Sequence, residues 1–520
     1  MPKNIVICSD GTGNAGIKDR GTNVFKLFEA VDLNGHRGYP GLGEQIAFYD
    51  DGVGTESLLP LKLLGGAFGW GLARNVRYLY MALVRVYDPG DRIFVFGFSR
   101  GAFTVRTLVG MIARCGVLDR RKLVTTDDLR AAVSEAYRTY RRSYRTWLGR
   151  RAQAIREKLG GVSDAQAMAD FKARHSLTEA DFAAVRSPLH EVRIAFVGVW
   201  DTVDSVGGPF HISDVINTVF FRFKFPDHRL SPIVGHAAHA LSIDDARAAF
   251  EPRLWQGDPR IEQVWFAGVH SNVGGGYPKQ GMSLVTLDWM LRKALQHNLR
   301  IVPSDLQFYS EHGSVDDKLY DSRAGLGVFY QWKPRDMQAL CERQGAALPP
   351  VVHLSVIDRI AHGTDGYSPG TLAPAVDVAY TDSGAAPRAA TAGAVLNAAL
   401  ATSPDSFRKV RATLWIGSMS YWIYVLSCLA VVVAAGILKS GGQKLNPWMV
   451  VKNTGGLILD ALTGKWTELW PTAVQMVRDS PLLLALLLGF AVSGALAAIV
   501  DSRRSITFSR FWHSVRERLR

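Results

Sequence analysis

Ser99, Asp201 and His270 each follow directly on a short apolar run, in the stretches "IFVFGFSRG", "RIAFVGVWDT" and "VWFAGVHS". A serine hydroxyl is a weak nucleophile near neutral pH. It needs a histidine to take its proton and a carboxylate to hold the imidazole, and in one large fold class these arrive in the chain order Ser, Asp or Glu, His. Gly97-Phe98-Ser99-Arg100-Gly101 fits the G-x-S-x-G pattern, in which small flanking residues let the backbone turn sharply and lift the hydroxyl above a sheet. A serine that merely caps a buried helix is the structural alternative. Asp204 lies in the same loop as Asp201 and competes with it for the role of orienting acid. The oxyanion formed during acyl transfer needs two backbone donors: Arg100, directly after the serine, and Gly11 or Thr12 in the strand-end loop "SDGTGN".

Other chemistries fit less well. "CSDGT" has the look of the D-x-D-G-T start of aspartate-based phosphatases, but Cys8 occupies the nucleophile's place. "GVGTES" and "GGAFGWGLARN" are glycine-rich without the Gly-Lys-Ser/Thr ending of a phosphate-binding loop. His236 and His239, spaced i, i+3 on an expected helix, have no third ligand nearby, so neither metal nor cofactor is expected. The four cysteines, Cys8, Cys115, Cys341 and Cys428, are too scattered for a zinc site or a disulfide framework, which favours a reducing compartment.

The elements that must position these residues follow one grammar. Five apolar runs, "KNIVIC", "EQIAFYD", "DRIFVFGF", "EVRIAFVGVW" and "IEQVWFAGV", each stop in a polar, glycine-containing loop and read as buried strands. Helical patterns at Phe68–Tyr87, Ala102–Val117 and Ser283–Asn298 alternate with them. This alternation predicts an α/β protein with a mostly parallel sheet and its ligand at the strands' carboxyl ends. Residues 125–186, rich in Ala, Arg, Asp and Glu, read as a helical insertion that caps the site, within a catalytic domain spanning 1–384. Residues 385–411 read as a linker, 412–502 as a hairpin of two transmembrane helices with an interfacial loop, and 503–520 as a basic tail.

The hairpin rests on Leu414–Leu438 and Ser480–Val500, each without a charged residue and each longer than the roughly 20 residues that span a bilayer core. Arginines and lysines flank both spans more densely than they populate the connection, which predicts cytoplasmic termini. "MPKNIVICSDGTGN" lacks the charged start and long apolar run of a signal peptide. The chain of 520 residues carries 60 Lys and Arg against 47 Asp and Glu, a net charge of +13, which favours an anionic lipid surface as partner. No nucleic-acid-binding module is present in the sequence, so nucleic acid is not expected as a partner.

The blocks "NIVICSDGTGN", "TNVFKLFEA", "FYDDGVGT", "GGAFGWGLARNVRYLY", "IFVFGFSRGAFTVRTLVGMI", "VGVWDTVDSVG", "LSIDDARAAFEPRLW" and "VWFAGVHSNVGGGY" occur in this order between residues 3 and 277. Together they resemble the α/β-hydrolase-like domain of the type VI secretion phospholipase effectors and their relatives; "HGTDGYSPGTL" resembles that family's closing segment. The resemblance implies a serine phospholipase of A1 or A2 type, with Ser99, Asp201 and His270 as its triad and membrane phospholipid as its substrate. Because the membrane hairpin varies among relatives, secretion is not carried over with the fold: an antibacterial effector delivered to target cells, with a secretion apparatus or an immunity protein as partner, and a housekeeping membrane enzyme both stay open. Relatives commonly carry Asp where this chain has Asn272. A membrane-anchored hydrolase-like scaffold without activity is the alternative class, and the occupied triad positions weigh against it.

Overall fold

The computed structural model describes residues 2–11, 21–39, 41–52, 66–123, 125–142, 192–203, 228–322, 330–402 and 506–520, together with Leu488. The chain divides into two compact units, one of residues 1–330, 335–402 and 515–520 and the other of residues 331–334 and 403–514. The first unit is built on one sheet. Its strands are β1 Asn4–Ser9, β2 Gln45–Asp50, β3 Arg92–Phe98, β4 Arg193–Trp200, β5 Val234–Ser242, β6 Ile261–Phe266, β7 Val351–His353 and β8 Asp377–Ala379. They lie in the order β2-β1-β3-β4-β5-β6-β7-β8, and every pairing is parallel.

Alternation along the strands explains why both faces are covered. Ile5 and Ile7 of β1 and Ile93 and Val95 of β3 join one apolar cluster with Leu79, Leu83, Leu108 and Ile112. Val6, Cys8, Phe94 and Phe96 point the other way, into a cluster with Leu27, Leu287, Trp289 and Leu291. Helices Gly66–Val86 and Arg100–Cys115 therefore lie on one face, and Asn23–Ala30 and Gly281–Gln296 on the other, as a parallel sheet requires. The chain runs outward from β1 to β2 and then returns to the far side of β1 with β3. The gap between the carboxyl ends of β1 and β3 is thus the topological switch point, where open α/β sheets bind ligands.

Five of the strands are those expected, but β5, β7 and β8 are additional. β5, "VGHAAHALS", is poor in β-branched residues, and its strand state comes from pairing with β4 and β6 on both sides. His236 and His239 are therefore not on a helix. An odd spacing on a strand sends them to opposite faces: His236 pairs with Glu262 at 3.2 Å and stacks on His297, while His239 accepts the Thr202 N–H at 3.2 Å. Among the described residues no group of three could hold a metal.

The described start of the expected cap, Thr126–Arg142, is a helix that buries Leu129, Ala132, Val133, Ala136 and Tyr137 in the cluster of the two neighbouring helices. Residues 143–186, the remainder of that expectation, lie outside the described residues. Within the expected linker, 385–411, Ala386–Ala401 is a helix with Leu396, Ala399 and Leu400 buried, in keeping with the high helix propensity of its alanines, and residues 403–411 lie outside the described residues. Leu414–Leu438 and Ser480–Val500 fall outside the described residues apart from Leu488; among the described residues no helix is long and apolar enough to cross a membrane.

Candidate functional site

Ser99 sits between β3 and the helix Arg100–Cys115 with φ 58° and ψ −123°, a conformation that a side chain other than glycine adopts only under constraint. Strain of this kind costs about 1–3 kcal/mol and persists only where neighbours hold it. The neighbours here are identifiable. Ser99 N–H donates to Trp200 O at 3.0 Å, and Val203 N–H donates back to Ser99 O at 3.4 Å, which ties the turn to the end of β4. A Cβ at position 97 would come within 2.7 Å of Ala102 Cα, and one at position 101 would collide with the carbonyl oxygens of Ser9 and Asp10. The two glycines thus let the helix start immediately after the strand and let the end of β1 press against that start.

Asp201 follows β4 with φ 40°, and its N–H extends the ladder to Ala240 O at 2.8 Å. His270 opens the short helix His270–Gly274 after β6. Asp245 Oδ2 accepts the His270 N–H at 3.2 Å, and Asp244 Oδ2 accepts the Gly268 N–H at 2.6 Å, so two carboxylates from the loop after β5 fix the turn that carries the imidazole. The ring lies between Phe98, 4.6 Å away centroid to centroid, and Phe250, edge-on at 5.0 Å.

These three strand ends bring the side chains into one line. His270 Nε2 is 2.8 Å from Ser99 Oγ, and His270 Nδ1 is 2.5 Å from Asp201 Oδ2. All three residues are buried, with Ser99 7% exposed. Asp204, the rival acid, lies outside the described residues, as does Thr12. Arg100 holds the first helical position after the serine. Gly11 is at the end of β1, and its N–H donates to Asp10 Oδ1 at 2.6 Å.

Burial, the largest influence, would raise the Asp201 carboxyl, but the Arg335 guanidinium and the His270 hydrogen bond outweigh it and hold the group well below the usual carboxylate range. Burial lowers the His270 imidazole from its ordinary value, against the pull of Asp201. Beneath the pair, burial pushes His239 down to about 3, so a neutral ring accepts the N–H of Thr202. Asn272 accepts from Val269 N–H and Tyr320 N–H and donates to Lys318 O at 3.0 Å, a donation a carboxylate could not make.

Sequence reasoning passed over Ser242, Asp244, Asp245 and Arg335. Ser242 ends β5, and Asp244 and Asp245 follow it; that strand is hidden by its helix-like composition. Arg335 stands in "YQWKPRDMQ", where no motif singles it out. A cavity of about 170 Å³ lined by Leu241, Leu254, Trp265, Cys341 and Val351 does not include Ser99, Asp201 or His270.

A parallel sheet covered by helices on both faces, with a strained serine at its switch point facing a histidine and an aspartate on later strand ends, defines an α/β protein. The chain belongs to the family of Tle1-like catalytic domains of type VI secretion (T6SS) phospholipase effectors, whose pattern matches residues 3–293. An uncharacterised protein of Saccharomyces cerevisiae is 29% identical over 276 residues, 51% of this chain, and the match spans 34% of that relative's length. Among solved structures, the Tle1 effector bound to the VgrG spike of the type 6 secretion system aligns at 13% identity and a TM-score of 0.35, covering 67% of this chain and 84% of that one. An uncharacterised protein from Pseudomonas aeruginosa aligns at 14% identity and a TM-score of 0.31, covering 97% and 63%.

Proposed function

We propose that this chain is a serine esterase that hydrolyses acyl esters of membrane phospholipids, an A-type phospholipase. The observation that carries the reading is the unbroken chain of hydrogen bonds from Ser99 Oγ through His270 to Asp201. Ser99 Oγ attacks the acyl carbonyl carbon while His270 Nε2 takes its proton, and Asp201 holds the imidazolium through Nδ1–H. His270 returns the proton to the departing lysophospholipid oxygen. Water, deprotonated by the same nitrogen, then attacks the acyl-enzyme and releases the fatty acid. Arg100 N–H supplies one oxyanion donor. Gly11 or Thr12 is proposed for the second donor; the Gly11 N–H meets Asp10 Oδ1 at 2.6 Å, and Thr12 lies outside the described residues.

The family supports phospholipid as the substrate and a secretion apparatus as partner; a bilayer as the working surface and an immunity protein as a further partner are proposed with them. The two apolar stretches after residue 412 are proposed as membrane spans.

The test is turnover of a short-chain ester and of phospholipid vesicles by purified protein. Ser99→Ala and His270→Ala should each lose at least about a thousandfold in kcat, and Asp201→Asn should be severely impaired, because such groups act as one unit. Unchanged turnover by folded Ser99→Ala protein would refute the reading.

A further inference from the structure

Asp201 is engaged from two sides. His270 Nδ1 meets Oδ2, and on the other flank Arg335 closes a two-pronged ion pair, Nη1 to Oδ1 at 2.6 Å and Nη2 to Oδ2 at 2.8 Å. Arg335 is 3% exposed, so water does not screen this pair. The guanidinium is itself held by Ser242 O at 2.7 Å, Ser242 Oγ at 2.5 Å and Phe250 O at 2.6 Å. A planar fork fixed at both prongs and tied to two loops sets both the position and the plane of the carboxylate.

We propose that Arg335 is a positioning residue of the triad, a permanent counter-cation to Asp201 that lets His270 work as a base at lower pH than an Asp–His pair would alone. The proposal rests on the triad reading above. With Arg335 present, the imidazolium formed during acyl transfer faces a nearly neutral carboxylate–guanidinium unit. Without it, the imidazolium would face a bare buried anion. Removing a cation in contact raises the proton affinity of the Asp201–His270 pair whichever member takes the proton, so the pH below which the base is lost moves up.

Other charges surround the pair. Asp245 accepts from the His270 backbone and is matched by Arg247 at 2.7 Å. Asp244 is raised to about 6 by burial and is bonded to Tyr367 at 2.9 Å. His239 is neutral. Arg247 and Arg359 add positive potential at longer range. Arg335 is the cation that touches the acid directly.

The experiment follows the pH dependence of labelling by a fluorophosphonate probe, and of short-chain ester kcat/KM, in full-length protein. In the wild type the acid limb is expected below about 6.5, the ordinary histidine value. Arg335→Gln should raise that limb by about 1–3 units, the range for loss of an opposite charge in contact. Arg335→Lys should keep the limb within about half a unit of wild type, because the charge remains, while the plateau rate falls with the lost fork. A limb unmoved in Arg335→Gln, or moved equally in both variants, would show that Arg335 only staples the two loops. If Arg335→Gln does not fold, a wild-type limb at or above about 6.5, or a shifted limb in Arg335→Lys, overturns the proposal. Failure of the triad reading has a separate signature: the probe would not attach to Ser99 of the wild type at any pH.

Discussion

At the scale of single residues, the site depends as much on what is missing as on what is present. Gly101 leaves room for the carbonyls of Ser9 and Asp10 to press on the first turn of the helix behind Ser99, and Gly97 leaves room for Ala102. Gly101→Ala should therefore push the helix start away from the end of β1. We expect a loss of about 1–3 kcal/mol in stability, typical of overpacking, and a larger loss in kcat, since displacing the serine by even an ångström disrupts its line to His270. Urea denaturation beside esterase kinetics would separate the two effects; full activity with unchanged stability would contradict the packing argument. Asn272 makes the complementary point. Its amide joins three backbone groups, Val269 N–H, Lys318 O and Tyr320 N–H, and so ties the histidine turn to the segment around residue 320.

Among the elements, the edge of the sheet beyond β6 is where composition and structure diverge most. β7 and β8 have three residues each, too short for an apolar run to announce them, and they are held by neighbours. The helix Ala386–Ala401 covers this edge, with Gly393 close against Val378 and Leu396 fully buried. Leu396→Ala should cost about 2–5 kcal/mol, as removal of a buried leucine side chain does, while kcat per folded molecule stays unchanged because the helix touches none of the three aligned residues. Guanidinium unfolding of the two proteins measures the first quantity and active-site titration the second. A Leu396→Ala protein as stable as wild type would mean that this segment is the loose connection its sequence suggests.

Over the whole molecule, the first compact unit is discontinuous in sequence. Val515–Arg520 belongs to it, and Arg516 donates to Ile360 O at 3.1 Å and Tyr367 O at 2.8 Å. A single cut near residue 403 consequently removes these contacts together with the proposed membrane spans. A fragment ending at Thr402 is expected to melt several degrees below the full chain yet to keep hydrolysis of a dispersed short-chain ester, with a far greater loss on anionic vesicles. The full chain should stay with membranes through an alkaline carbonate wash, as two apolar spans of more than 20 residues would ensure. Release by carbonate would mean a peripheral attachment through basic surface, and the spans would be abandoned.

The sequence by itself determined whatever is encoded locally. Apolar runs broken by glycine loops specified five of the strands, the period of 3.6 specified the principal helices, and G-x-S-x-G marked the turn at Ser99. The positions of Asp201 and His270 at strand ends follow from the same punctuation, since a buried parallel strand must stop where polar residues begin. Tertiary structure alone decided what depends on partners distant in the chain. "VGHAAHALS" became a strand because β4 and β6 offer backbone groups on both sides, outweighing its weak intrinsic preference. Arg335, 134 residues beyond Asp201, acquired its place only when folding brought it against a buried carboxylate. No local pattern distinguishes such an arginine from one in solvent, because the energy that fixes it arises from burial and from a charge that becomes its neighbour only in the folded state.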